Sequence, residues 1–187
     1  MNEIEVDKLL QVGNLTITVD TNILYEIKRF FKICNKINSM SKYNIKMVIS
    51  SLVHTEKMFD LKQAYGNKFD TDHIIKVLKD KKVVIEPFTE YHAESIAEWI
   101  GTQFPTNEEW QKYKRQECIN CLGIKGQNYD IPGTGKKCGA RVDWLIAGYA
   151  YTEDYLLITD DKGKEFEKIK KKTTLGILEK VLTEWKY

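Results

Sequence analysis

Five acids carry the chemical interest of this chain: Asp20, Glu56, Asp143, Asp160 and Asp161. Each has an ordinary reading by itself. Asp20 and Asp143 suit helix starts, Asp160 and Asp161 suit a turn, and Glu56 could sit on a solvated helix face. Glu56, however, follows Leu52 by four residues and precedes Phe59 by three, so helical spacing turns it inward with them. A buried Glu needs a partner or a metal. Carboxylates gathered from distant points of a chain repel one another unless a cation intervenes. Their oxygens suit hard divalent ions such as Mg²⁺ or Mn²⁺, which activate water and stabilise developing negative charge.

The elements around these acids give them a common location. Residues 15–19 (LTITV) have the β-branched pattern of a buried strand and end at Asp20, with Thr21 and Asn22 as helix-start residues. Leu24, Ile27, Phe31 and Cys34 then recur at helical spacing and predict a helix to about Asn35. A second apolar run (IKMVI) leads through Ser50 and Ser51 into the helix that carries Glu56. Further helices are expected over 72–79, with Ile75 and Leu78 inward, and over 91–99, with Ala93, Ile96, Ala97 and Ile100 as its apolar side; 83–85 reads as a strand closed by Pro87. Asp143 leads the apolar helix WLIAGYAY, and 155–159 (YLLIT) forms the strand before Asp160 and Asp161. A Lys-rich helix and a last helix with Leu178, Val181, Leu182 and Trp185 follow. Alternating strands and helices imply a parallel sheet covered by helices. In such sheets the ligand site lies beyond the carboxyl ends of the strands, where Asp20 and the Asp160–Asp161 pair both stand.

The 187 residues fit a single domain spanning 1–187, with an insertion at about 101–140 where Gly, Pro, Asn and Lys concentrate and only a helix over 107–120 is expected. A hydrophobic share of 42% is enough for a sizeable core, while a net charge of +2 says little about partners. The opening MNEIEVDKLL carries acids early and is not a signal peptide. No window approaches the roughly 20 apolar residues of a membrane span, so a cytoplasmic protein with no membrane contact is expected.

Within the insertion, Cys118 and Cys121 form a C-x-x-C pair with Cys138 beyond it. Structural Zn²⁺ on these three lacks a fourth ligand. His54, His73 and His92 all precede the insertion, and Cys34 would have to come from the first helix. Thiols packing a loop are the better reading. Between Trp110 and Val142, Lys112, Lys114, Arg115, Lys125, Lys136, Lys137 and Arg141 face only Glu117 and Asp130, with Trp110, Tyr113 and Tyr129 interleaved. Cations with aromatic faces suit single-stranded nucleic acid; a solvated basic loop is the plain alternative. The lysines of 164–172 offer a second basic strip or an ordinary exposed helix.

Four segments in order, ITVDTNIL, ISSLVHTEKM, RVDWLIAGYA and LLITDDKGKEF, resemble the motifs of the PIN domain over roughly residues 15–166. The resemblance implies a PIN-like three-layer α/β/α domain with a central parallel sheet. It also implies a metal-dependent endoribonuclease whose Mg²⁺ or Mn²⁺ is held by Asp20, Glu56, Asp143 and Asp161 or Asp160. The family's last motif is Thr, a variable residue, then Asp, which matches Thr159 and Asp161 and leaves Asp160 in the variable place. Asn22 and Thr159, with Thr21, would orient water or phosphate, and Lys136, Lys137 and Arg141 would line the approach of RNA. PIN proteins commonly act as toxins of toxin–antitoxin pairs, which implies an antitoxin partner and a homodimer. A structure-selective DNA nuclease and a non-catalytic RNA-binding protein are the competing readings. On the leading one, Asp20→Asn abolishes cleavage with a small or even favourable effect on stability.

Overall fold

Four aliphatic runs and one short segment become strands: β1 (Asn14–Val19), β2 (Asn44–Ser50), β3 (Val83–Glu86), β4 (Leu156–Ile158) and β5 (Lys172–Thr173). They form one sheet, every pair parallel, in the order β3-β2-β1-β4-β5. The computed structural model describes residues 1–113 and 140–185. Around the sheet lie α1 (Glu3–Val12), α2 (Ile27–Ser39), α3 (Ser51–Tyr65), α4 (Thr71–Asp80), α5 (Glu90–Gln103), α6 (107–113), α7 (Ala140–Thr152), α8 (Lys164–Glu167) and α9 (Leu175–Glu184).

Strand pleating sends alternate residues to opposite faces. Ile17, Val19, Leu156 and Ile158 join a core with Val6 and Leu10 of α1, Phe30 and Ile33 of α2, and Leu178 of α9. Leu157, between two of them, joins a second core with Trp99 of α5, Trp144 and Ala147 of α7, and Phe166 of α8. Helices thus cover both faces, in the PIN-like three-layer α/β/α arrangement that the motifs imply.

Several local expectations change. Residues 21–25 form a 3₁₀ turn rather than the start of a long helix, and α2 begins only at Ile27. Glu3–Val12 is helical: Asn2 and Glu5 make a reciprocal capping box, and Gly13 closes the helix in the left-handed region at φ 76°. The expected Lys-rich helix shrinks to the four residues of α8 and gives way to β5. In α5, Ala93 and Ala97 are exposed, and His92, Ile96 and Trp99 form the buried side. Residues 101–103 end α5, and α6 lays Trp110 and Tyr113 against Phe104 and Trp144. Those two rings pack the second core and are not an open stacking surface. Cys118, Cys121, Cys138, Tyr129, Lys136 and Lys137 lie outside the described residues. Arg141 falls within α7, but its side chain is not described.

The strand order places the site. From β1 the chain steps outward through β2 to β3, then returns to lay β4 on the opposite edge of β1. Connections leaving β1 and β4 diverge and open a crevice at their carboxyl ends. Asp20 follows β1, and Thr159, Asp160 and Asp161 follow β4.

Candidate active site

Asp20 is fixed by its surroundings before any ligand is considered. Its backbone N–H continues the ladder to Ile158 O at 2.9 Å. One carboxylate oxygen, Oδ1, accepts from Thr21 N at 2.6 Å, and the other, Oδ2, accepts from Thr159 Oγ1 at 2.8 Å. Only 4% of its surface is exposed. Thr21 extends the arrangement, since its hydroxyl donates to Glu56 Oε2 at 2.6 Å. Glu56 reaches this point because Ser50, at the end of β2, caps α3 through Val53 N and fixes the helix that carries it. The inward face of α3 runs through Val53; Phe59, expected to share it, is 67% exposed.

Thr159 is the hub on the β4 side. Its buried hydroxyl donates to Asp20 and accepts from Asn22 Nδ2 at 3.3 Å and from Asp161 N at 3.0 Å. Asp161 in turn accepts from Gly163 N at 2.8 Å, which shapes the turn after β4. Asp160 is directed elsewhere: its Oδ1 accepts from Leu175 N, the first residue of α9, at 3.3 Å. Of the two neighbouring acids, Asp161 acts by its charge on Asp20 and Asp143, while Asp160 caps the start of α9. Asn22 Oδ1 is buried and has no partner among the described residues.

Asp143, in the first turn of α7, completes the group. Burial, then the charges of Asp20, Glu165, Glu56 and Asp161, push its pKa up to about 8. Asp20 rises to about 6, chiefly through burial, against the lowering effect of its Thr159 and Thr21 hydrogen bonds. Asp161 and Glu56 add to that rise. Acids from β1, α3, α7 and the turn after β4 are thus close enough to feel one another's charge.

Glu165 is a fifth acid at this point that sequence reasoning passed over. It is buried in α8, where its Oε2 accepts from Tyr113 Oη at 3.0 Å, and its charge acts on Asp143. Gly163 makes room for it: a Cβ there would stand 1.9 Å from Glu165 Oε1. A glycine two residues before a Glu that neighbours a buried Phe was the available signal.

Among the described residues no three His, Cys, Asp or Glu side chains stand together as a ready-made metal cage. The donor chemistry nevertheless fits a hard cation, since the crevice offers carboxylate oxygens and the orphaned Asn22 Oδ1. Asp143, which burial and the neighbouring charges hold largely protonated at neutral pH, is a group that a cation would relieve. Cys34 does not fit the zinc alternative. It lies on the buried face of α2 in the core, and burial pushes its thiol up to about 12, whereas zinc binds thiolate.

These shifts fix a pH dependence. The metal-free folded chain holds protons on Asp20 and Asp143 that the unfolded chain, with carboxyls near 4, has released. The resulting stability is fully present below about pH 4 and is lost as pH rises through about 6 and 8. Thermal melts in EDTA should fall steadily over that interval, and Mg²⁺ or Mn²⁺ should restore most of the loss at pH 8. A melting temperature flat from pH 4 to 8 would contradict the crowding of these acids.

No family model matches the chain, and no curated protein matches it. The chain is similar to two solved VapBC structures. One is VapBC2 from Rickettsia felis bound to a DNA fragment from their promoter, with a TM-score of 0.47, 20% identity and coverage of 86% of this chain and 97% of that one. The other is VapBC-1 from nontypeable Haemophilus influenzae, with a TM-score of 0.48, 18% identity and coverage of 87% and 99%. Among the described residues no helix is long and apolar enough to cross a membrane.

Proposed function

We propose that this chain is a PIN-like, metal-dependent endoribonuclease. What supports the reading is Asp20 at the end of β1, tied through Thr21 to Glu56 and through Thr159 to the end of β4, with burial, then the charges of Glu56 and Asp161, raising the pKa values of both Asp20 and Asp143. Asp20, Asp143 and Asp161 would hold Mg²⁺ or Mn²⁺, with Glu56 ligating directly or through water. The ion supplies activation of water and stabilisation of charge on the attacked phosphodiester. Thr21 and Thr159 orient the carboxylates through the hydrogen bonds described above. Asn22 Oδ1, buried and without a partner among the described residues, would hold a water beside the carboxylates, and Asp160, which caps α9, would stand outside this set. Lys136, Lys137 and Arg141 would line the approach of the anionic strand. The insertion would then belong to a single domain spanning the chain.

The motif resemblance supports RNA as the substrate and a role as the toxin of a toxin–antitoxin pair, with a cognate antitoxin and a second copy of this chain as protein partners. An apolar groove of about 480 Å³ lined by Leu24, Phe31, Met58, Leu61, Ile74 and Val77 offers one surface for such a partner. Purified protein should cleave single-stranded RNA with Mg²⁺ or Mn²⁺ and lose that activity in EDTA. Cleavage that survives EDTA rules out the metal reading. A preference for flapped or branched DNA over RNA would transfer the same site to a structure-selective DNA nuclease.

A further inference from the structure

Tyr25 is a large aromatic left outside the core at the edge of the acids. It ends the 3₁₀ turn that Asp20 opens, and it is 60% exposed although Ile23 and Leu24 beside it are buried. Its ring is nevertheless held from α3, the helix that carries Glu56. Lys57 Nζ lies 3.8 Å from the ring centroid, and the Tyr25 hydroxyl donates to Asp60. A cation over one face and an acid on the hydroxyl fix the plane of a ring whose exposure leaves it open to solvent. The hydroxyl pKa is pushed up to about 12, first by the Asp60 bond, with the charges of Glu56 and Asp20 also contributing. The ring stands on the turn that Asp20 caps and is held by two residues of the helix that carries Glu56, which sets it at the edge of the crevice. Phe59, Tyr65, Tyr91 and Tyr151 are also exposed.

We propose that Tyr25 is the stacking platform for a nucleobase next to the phosphodiester that the acids engage, and that Lys57 and Asp60 are positioning residues that hold the ring for it. This rests on the ribonuclease reading above. A flat, one-sided aromatic shelf suits an unpaired base, because every base presents a π-face and stacking is tolerant of sequence. A single strand entering the crevice meets the shelf beside the acids. Trp110 and Tyr113, which the sequence offered for this purpose, are committed to the core.

The test uses single-stranded RNA oligonucleotides carrying 2-aminopurine at successive positions, bound in EDTA so that no cleavage intervenes. Wild-type protein should quench the fluorophore at one position. Tyr25→Ala should remove that quench and weaken binding about tenfold or more, the range for loss of one base–aromatic stack, while Tyr25→Phe keeps both. Lys57→Gln should reduce the quench in part and leave the fold intact by circular dichroism. If wild type cleaves RNA but Tyr25→Ala retains its quench and affinity, the inference fails while the nuclease reading stands. In that event the ring serves only the apolar groove that it also borders. Loss of binding in Tyr25→Phe as severe as in Tyr25→Ala would equally overturn stacking in favour of the hydroxyl. A wild-type protein that neither binds nor cleaves RNA would remove the nuclease reading itself.

Discussion

Asp143→Asn is expected to lose RNA cleavage and to raise the melting temperature of the metal-free protein at pH 8. Burial and four neighbouring acids hold the Asp143 pKa near 8, so the substitution removes a charge that costs the fold free energy. Relief of that repulsion should raise the melting temperature by several degrees, given roughly 2–4 °C per kcal/mol for a chain of this size. Activity should fall by about 10²-fold or more, as expected when a preorganised charge at a phosphoryl centre is lost. Asp20→Asn should be equally inactive but less benign to the fold than its sequence context suggests. Thr159 Oγ1 already accepts two hydrogen bonds and donates its single proton to Asp20 Oδ2. Unless the new amide turns its oxygen that way and loses the Thr21 N–H, its NH₂ would point at that crowded oxygen, and one polar group would go unsatisfied. Cleavage assays and melts on both variants check the pair. Full activity in either one contradicts the metal-binding role given to that acid.

Thr159→Val should be the most destabilising conservative change in the site. The side chains have nearly the same shape, but the valine has no hydroxyl, and the position is buried. Asp20 Oδ2 loses a donor, while Asn22 Nδ2 and Asp161 N lose their acceptor. The buried Asp20 oxygen left without its donor costs about 1–3 kcal/mol, and the two part-buried donors add less. The melting temperature should therefore drop by roughly 5–10 °C, and activity should fall as the orientation of Asp20 and of the Asp161 turn is released. Thr159→Ser should recover most of both. A Val variant that melts like the wild type would show that the hydroxyl does not organise the crevice.

The parallel sheet and the positions of the acids were legible because each depends on a short local pattern. A β-branched run ending in Asp, and an apolar strand ending in Thr-Asp-Asp, state both the element and the side chain it delivers. Patterns that local spacing does not distinguish were misread. Phe59 fits the same helical period as Glu56, yet Val53 defines the buried face and Phe59 is exposed. Trp110 and Tyr113 lie among lysines, but their three-residue spacing is that of a packed helix face, and tertiary contact with Trp144 decides between the two. The N-terminal helix carried its own signature in Asn2, Glu5 and Gly13. Whether Asp160 or Asp161 belongs to the crevice rests on one hydrogen bond to α9, formed by residues distant in sequence. Glu165 was hidden for the same reason, because its relation to Asp143 and Tyr113 exists only once α6, α7 and α8 are packed together.

Divalent-ion binding by these carboxylates can be seen crystallographically. Crystals soaked in Mn²⁺, with diffraction collected near the manganese edge, test it most directly. An anomalous peak is expected at the carboxyl end of the β1–β4 crevice, within ligand distance of Asp20 and Asp143 and with Asp161 or Glu56 completing the shell, and no such peak in Asp143→Asn. A crevice without manganese at concentrations that support RNA cleavage, or a peak bound only by residues outside these four acids, would contradict it.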